Sequence, residues 1–265
     1  MFRPILVFDS GIGGLSVLSE IRALLPGRDY VYLFDNARLP YGELAEQVLI
    51  SGCVELVTRL AKQIDAALVV IACNTASTLV LPALRQQLTI PVVGVVPAIK
   101  PAAHLSQCHE IGLLATPGTI KRDYTRRLIQ QFASDCQVHL FGSSELVMLA
   151  EQKVAGGTID QHALTKLLQP VRQTALDVLV LGCTHFPMLK AEISQCLGSR
   201  VTLLDSGKAV ARRVASLLAD NGTTGQMGTL NGFFTTSELA AGLIATLSTL
   251  GFSQLVHFPP KSEVV

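Results

Sequence analysis

The chain has no C-x-x-C pair, no long Lys/Arg block, no cationic leader and no apolar run long enough to span a bilayer. Each absence removes a class of function. Without C-x-x-C there is no sequence sign of a zinc site or a dithiol redox centre. Without basic blocks, and with a formal net charge of +1, there is no electrostatic reason to expect nucleic acid or an acidic membrane surface as a partner. The cluster Lys121, Arg122, Arg126 and Arg127 reads as a solvated helix face. A membrane helix needs roughly 20 apolar residues, so the positive mean hydropathy points to buried strands and helices. Met1 to Ser10 enters a strand-like segment at once, which makes a cytoplasmic location the expectation. Charge itself is sparse: 15% charged against 49% apolar residues over 265 positions implies extensive burial in one large core or two modest ones.

What is present is a rhythm. Short β-rich runs alternate with helix-like stretches: Ile5 to Phe8 then Leu15 to Leu25, Tyr30 to Phe34 then Glu43 to Gln63, Ala67 to Ala72 then Ala76 to Gln87. This is the βαβ pattern of a parallel sheet, and uninterrupted apolar strands suit a sheet covered on both faces. The pattern then restarts, with Ile111 to Ala115, Val138 to Phe141 and Val178 to Leu181 in place of the first three strands. Thr116 follows Asp9 by 107 residues, Gly142 follows Asp35 by 107, and Cys183 follows Cys73 by 110. The reading is an α/β protein of two pseudo-symmetric parallel-sheet domains. Residues 1–97 plus 207–265 form the first, with Asp9 and Cys73; residues 98–206 form the second, with Cys183 and His185. Val201 to Leu204 supplies a further strand, Lys208 to Ala219 a helix, and Asn221 to Gly228 a loop.

The six cysteines are expected to be thiols in a reducing compartment. Cys53 and Cys196 lie in helix-like stretches and read as packing, while Cys108 and Cys136 carry no further signal. Cys73 and Cys183 differ. Each follows an apolar strand-like run and precedes a hydroxyl-bearing turn, Cys73-Asn74-Thr75 and Cys183-Thr184-His185. In open parallel sheets the ligand crevice lies beyond the carboxyl ends of the strands, where Asp9, Asp35, Cys73, Thr116 and Cys183 all fall. If the halves face one another, the two thiols approach one molecule from opposite sides. Inverting a carbon centre needs such a pair of proton-handling groups.

With an ordinary pKa of about 8.5, only about 3% of a free thiol is thiolate at pH 7, so a catalytic thiol needs a helper. Asp9 and His185 are the candidates. Gly11, Gly13 and Gly14 would let backbone amides approach an anion such as a carboxylate. A dinucleotide fingerprint is disfavoured, because its third glycine position is Ser16. Ser10, Asn74, Thr75, Thr116, Thr119 and Thr184 place neutral donors at strand ends, suited to a small zwitterion, and Pro40, Tyr41 and Gly42 would form another wall.

Together, Phe8-Asp9-Ser10-Gly11-Ile12-Gly13-Gly14, Pro40-Tyr41-Gly42, Cys73-Asn74-Thr75 and Cys183-Thr184-His185 resemble the glutamate racemases of the aspartate/glutamate racemase superfamily, over most of the chain. The resemblance implies a cofactor-independent, metal-free isomerase that interconverts L-glutamate and D-glutamate for peptidoglycan synthesis, and hence for cell-wall biogenesis and cell shape. It implies a two-domain fold with the active site in the cleft, and commonly a homodimer. It makes Cys73 and Cys183 the two bases, Asp9 and His185 their assistants, and Ser10, Tyr41, Gly42, Asn74, Thr75, Thr116, Thr119 and Thr184 substrate contacts. Glu151 is carried over as a further catalytic position, although Gln152 and Lys153 follow it where the family usually continues Glu-Gly. Asn36 stands where the family more often has Thr, a departure not expected to affect chemistry. Only eight residues precede Asp9, fewer than in family members with an N-terminal extension, which argues against regulation by a cell-wall precursor. Three alternatives stay open: a racemase of aspartate or another substrate of the superfamily, a non-catalytic amino-acid-binding protein, and a thiol hydrolase or transferase using Cys183 and His185.

Overall fold

A computed structural model of the chain describes residues 3–218 and 227–261. The strands are β1 (Ile5–Asp9), β2 (Tyr30–Phe34), β3 (Leu68–Ile71), β4 (Val92–Gly94), β5 (Glu110–Ala115), β6 (Gln137–Gly142), β7 (Val178–Leu181), β8 (Thr202–Leu204), β9 (Leu230–Phe234) and β10 (Gln254–His257). The helices are α1 (Leu15–Leu24), α2 (Glu46–Gln63), α3 (Asn74–Ser77), α4 (Leu81–Gln87), α5 (Ile99–Leu105), α6 (Pro117–Lys121), α7 (Asp123–Phe132), α8 (Glu145–Val154), α9 (Gln161–Leu167), α10 (Gln169–Arg172), α11 (Lys190–Leu197), α12 (Gly207–Leu217) and α13 (Ala241–Thr249).

Two parallel sheets result, one ordered β10-β9-β2-β1-β3-β4 and the other β6-β5-β7-β8. The order β2-β1-β3-β4 in the first recurs as β6-β5-β7-β8 in the second, so the restart seen in the sequence is a restart of topology. Alternate residues of the central strands feed different cores, which is why no polar side of the strand exists. Ile5 and Val7 of β1 join Leu68 and Val70 of β3 beneath α1, α12 and α13. Leu6, Phe8, Val69 and Ile71 pack on the other face with α2 and α4. In the smaller sheet Leu179 and Leu181 enter one core, while Val178 and Val180 enter a second against α5. Each such side chain contributes roughly 1.5–3 kcal/mol over leaving it in water.

The chain crosses between the sheets after β4 and returns after β8. Ser206 Oγ donates to the Val96 carbonyl at 2.6 Å, tying the two crossings together. On return, α12 places Val210, Ala211 and Val214 in the same core as α1.

Some elements differ from the sequence reading. The stretch from Glu43 to Gln63 is a 3-10 turn at Tyr41–Glu43 followed by a helix that begins only at Glu46, because Leu44 and Ala45 are extended. The helix expected from Ala76 to Gln87 is broken into α3 and α4. Pro82, lacking an N–H, can sit only in a first turn, and it lies at the start of α4. Gly232 dilutes the apolar pattern of β9, and β10 is an outer strand with a mostly exposed face, so neither declared itself. The helix expected to reach Ala219 ends at Leu217, and Ala219 and most of Asn221 to Gly228 lie outside the described residues. Lys121, Arg126 and Arg127 are exposed. Arg122 is not a solvated-face residue: its guanidinium, 14% exposed, pairs with Glu46 of α2 across the two halves.

Candidate active site

The carboxyl ends of β1, β3, β5 and β7 converge where the two sheets meet. Cys73 follows β3 and caps α3, its Sγ accepting from Ala76 N at 3.5 Å. Thr116 follows β5 and caps α6 in the same manner. Cys183 follows β7 through Gly182. One narrow cavity is lined by Ser10, Cys73, Asn74 and Thr75 on one side and by Thr116, Cys183, Thr184 and His185 on the other, with Leu39 to Gly42 and Val147 completing it. Both sulfurs therefore face one space. Its open volume is about 10 Å³, room for about one water molecule. A roomier cleft of about 530 Å³ lies beside Leu15, Val154, Met188, Thr246 and Phe252, yet it contains no thiol or imidazole.

Behind the Cys73 wall sits Asp9, wholly buried. It accepts from Ser10 N at 2.6 Å through Oδ1 and from Thr184 Oγ1 at 3.0 Å through Oδ2, so one carboxylate holds hydroxyl-bearing residues of both halves. Burial pushes the Asp9 carboxyl above the usual range, against the His185 charge and these hydrogen bonds. Burial likewise pushes the Cys73 thiol well up, and the Asp9 charge adds to it. The Ala76 amide and Ser10 hydroxyl pull the other way without winning, and Cys183 contributes a further upward push. Cys73 is accordingly a protonated thiol at neutral pH.

The Cys183 wall is built differently. Cys183 Sγ lies 3.7 Å from His185 Nδ1, and His185 Nε2 lies 2.7 Å from Glu151 Oε1. Burial alone would lower the His185 pKa, but the bonds to Cys183 and Glu151 and the charges of Cys183 and Asp9 hold it well above the ordinary 6.5. His185 is an imidazolium clamped between a sulfur and a carboxylate. The same Glu151 oxygen accepts from Ile12 N at 2.9 Å. A carboxylate approached by the glycine-rich turn is thus the protein's own Glu151. Glycine is required for that approach: a Cβ on Gly13 would stand 2.5 Å from His185 Nδ1, and one on Gly11 2.1 Å from Glu151 Oε1.

The hydroxyls of Thr75, Thr116 and Thr119 form a triangle with sides of 2.9, 3.1 and 3.0 Å that spans the halves. Asn74 Oδ1 is buried without a hydrogen-bond partner among the described residues. Of the residues singled out from the sequence, Ser10, Pro40, Tyr41, Gly42, Cys73, Asn74, Thr75, Thr116, Cys183, Thr184 and His185 line the cavity, whereas Asp9, Asp35, Thr119, Glu151 and the three glycines of the turn do not. Leu39 and Val147 line it too, and as plain apolar residues they gave no signal. Neither did the support beneath Tyr41, whose hydroxyl donates to the buried Asp35. That carboxylate also accepts from Arg38 Nε at 2.7 Å and Thr235 Oγ1 at 2.8 Å. Asn36 ties the end of β2 to the end of β9, its Oδ1 accepting from Thr235 N at 3.0 Å and Thr236 N at 3.2 Å. Lys153, where Gly was the family pattern's neighbour, donates to the Met188 carbonyl at 2.8 Å and pairs with Glu192 at 2.6 Å. That departure anchors α8 and leaves Glu151 on His185. All six cysteines are free, with Cys53 buried in the core.

A family model for Asp/Glu/hydantoin racemases matches residues 5–214. The chain belongs to this racemase family. Among similar members of known name is a glutamate racemase from Shewanella sp. (strain ANA-3), 62% identical over 263 residues and matched over 96% of both chains. The crystal structure of Escherichia coli glutamate racemase with L-glutamate and the activator UDP-MurNAc-Ala superposes with a TM-score of 0.92 at 45% identity, covering 98% of this chain and 99% of that one. Glutamate racemase from Francisella tularensis in complex with D-glutamate gives 0.79 at 26% identity, covering 98% of each chain. The two-sheet α/β architecture read from the sequence is that of these racemases. No helix among the described residues is long and apolar enough to cross a membrane.

Proposed function

We infer that this protein is a cofactor-independent glutamate racemase, interconverting L- and D-glutamate and so supplying D-glutamate for peptidoglycan. The observation that carries the reading is the pair of buried thiols lining one cavity, Cys183 beside the His185 imidazolium and Cys73 in front of Asp9. Cys73, protonated, enters the first half-reaction as the acid; Cys183, beside the His185 imidazolium, enters as the base. A thiolate at Cys183 takes the α-proton, and the Cys73 thiol delivers its proton to the opposite face of the carbanion. The inverted amino acid leaves behind a Cys73 thiolate and a Cys183 thiol, ready for the opposite substrate hand. Developing charge on the substrate carboxylate falls to the hydroxyls of Ser10, Thr75 and Thr116, with Thr119 supporting Thr75 and Thr116 from behind; Thr184 lines the cavity with its hydroxyl proton given to Asp9. The unpartnered Asn74 Oδ1 is placed to accept from the substrate ammonium. Asp9 holds Ser10 and Thr184 in position, and Glu151 holds His185.

The cavity is smaller than an amino acid, so the halves must part for substrate to enter. We assign residues 1–97 plus 207–265 to one moving body and 98–206 to the other, hinged where Ser206 meets Val96. A cytoplasmic homodimer completes the proposal, and light scattering of the purified chain reads the assembly.

Relatives named glutamate racemase at 62% identity favour glutamate over aspartate, a distinction of one methylene worth about 1–3 kcal/mol. A non-catalytic binder has no use for two such thiols, and a hydrolase built on Cys183 and His185 has none for Cys73. Incubation with L-glutamate in D2O without pyridoxal phosphate is expected to give α-deuterated glutamate and loss of optical activity. Each single Cys→Ser change is expected to cost about 10²–10⁴-fold in racemisation, the usual worth of a positioned acid or base. Racemisation that persists in the Cys73→Ala, Cys183→Ala double variant would refute the assignment.

A further inference from the structure

The turns that lead into β5 and β6 lie at the amino ends of the smaller sheet, the edge opposite the thiol cavity. There His109, Asp135 and Cys136 each offer one ligand atom within 4.8 Å of the other two. The pairing of Glu110 with Gln137 sets the register of the two strands, and Gln137 N donating to the His109 carbonyl at 2.7 Å holds the turns side by side. Cys136 is half-buried, whereas His109 and Asp135 are exposed, so the cluster has a sheltered floor and an open mouth.

We propose that His109, Asp135 and Cys136 bind a borderline-soft divalent cation of the zinc class, at a site separate from the racemase cavity. Imidazole, carboxylate and thiolate together suit zinc or cobalt, whereas magnesium and calcium want oxygen alone. Zinc takes such ligands at about 2.0–2.3 Å, which sets tetrahedral neighbours about 3.3–3.8 Å apart. The three side chains are therefore about an ångström from closing on an ion, and two of them are free at the surface to move. Three protein ligands leave the fourth position to water. Cys108 lies close enough to bear on Cys136 electrostatically, but its Sγ is engaged by the carbonyls of Glu110 and Ala175 at 3.6 Å each, so it stands outside the ligand set. An ion here would cross-link the entrances of two neighbouring strands and stabilise the smaller sheet.

The test uses the full chain carrying Cys73→Ser and Cys183→Ser, so that the cavity thiols cannot compete. Titration with Co2+ is expected to saturate at one equivalent with a sulfur-to-cobalt charge-transfer band, which Zn2+ displaces. Adding Cys136→Ser should abolish the band, His109→Ala should weaken binding at least tenfold, and Cys108→Ser should leave both unchanged. In the same Cys73→Ser, Cys183→Ser chain, Zn2+ should raise the melting temperature, and Cys136→Ser should remove that rise. A band that survives Cys136→Ser, an affinity indifferent to His109→Ala, or a site lost with Cys108→Ser would overturn the proposal.

Discussion

Glu151 does not line the cavity, yet its carboxylate touches both the imidazolium that flanks Cys183 and the backbone of the glycine-rich turn. Glu151→Gln is the informative change. Both native bonds use the same oxygen, so the amide oxygen of Gln can still accept from Ile12 N and His185 Nε2, and what disappears is the charge. A hydrogen bond to a charged group is worth about 1.5–3 kcal/mol against about 0.5–1.5 for a neutral one. The expected loss is therefore about 1–1.5 kcal/mol, or about 5- to 10-fold in kcat, with little change in KM. Because Glu151 is among the groups that hold the His185 pKa up, the alkaline fall in activity should move to lower pH. Glu151→Ala removes both bonds, strands the Ile12 N–H and leaves a buried imidazolium without its carboxylate, costing about 3 kcal/mol or more. Circular dichroism of L-to-D and D-to-L conversion across pH gives kcat and KM for each variant. The decisive arm is a double-mutant cycle with His185→Asn. If Glu151 acts through His185, adding Glu151→Gln to His185→Asn costs nothing further. Full additivity, or a Glu151→Gln enzyme with an unaltered pH profile, would show that reasoning to be wrong.

Gly13→Ala puts a methyl 2.5 Å from His185 Nδ1 and 2.7 Å from the His185 backbone nitrogen; displacing that ring should cost about 1–3 kcal/mol in stability and impair turnover, and a variant matching the parent in both would count against the close packing. Tyr41→Phe removes a donor from the buried Asp35 carboxylate, expected to cost about 1.5–3 kcal/mol in urea unfolding; a loss near zero would mean the Asp35 network does not hold the Pro40 to Gly42 wall. The His185 pKa is raised in the folded state, so its stabilising contribution is complete below pH 6.5 and drains away as pH rises toward the folded value, at up to about 1.4 kcal/mol per pH unit. Asp9 and Cys73, also raised, act in the same direction. Melting temperatures from neutral to alkaline pH should therefore fall less steeply for His185→Gln than for the parent, and equal slopes would contradict the coupling.

The strands at the centre of both sheets were legible because burial on two faces writes an unbroken apolar run, as in Leu68 to Ile71 and Val178 to Leu181. The edges were not. β9 and β10 are partly exposed, and one carries Asn231 and Gly232, so tertiary pairing rather than pattern makes them strands. In the site, Cys73, Cys183, Asp9 and His185 were visible because reactive side chains just past strand ends stand out against apolar sequence. The partner of the glycine-rich turn was invisible: Ile12 and Glu151 are 139 residues apart, and no local spacing relates them.

Residue order alone settled the βα alternation, its restart after three recognised strand-helix units and the placing of two thiols at equivalent strand ends, since these follow from hydrophobic periodicity and side-chain type. Only the tertiary structure decided which groups meet: that both sulfurs face one narrow space, that Asp9 grips hydroxyls from both halves, and that Glu151 reaches the glycine turn. Such encounters depend on how two sheets are oriented about their crossings, and on the burial that shifts proton affinities there, neither of which is a property of any short segment of chain.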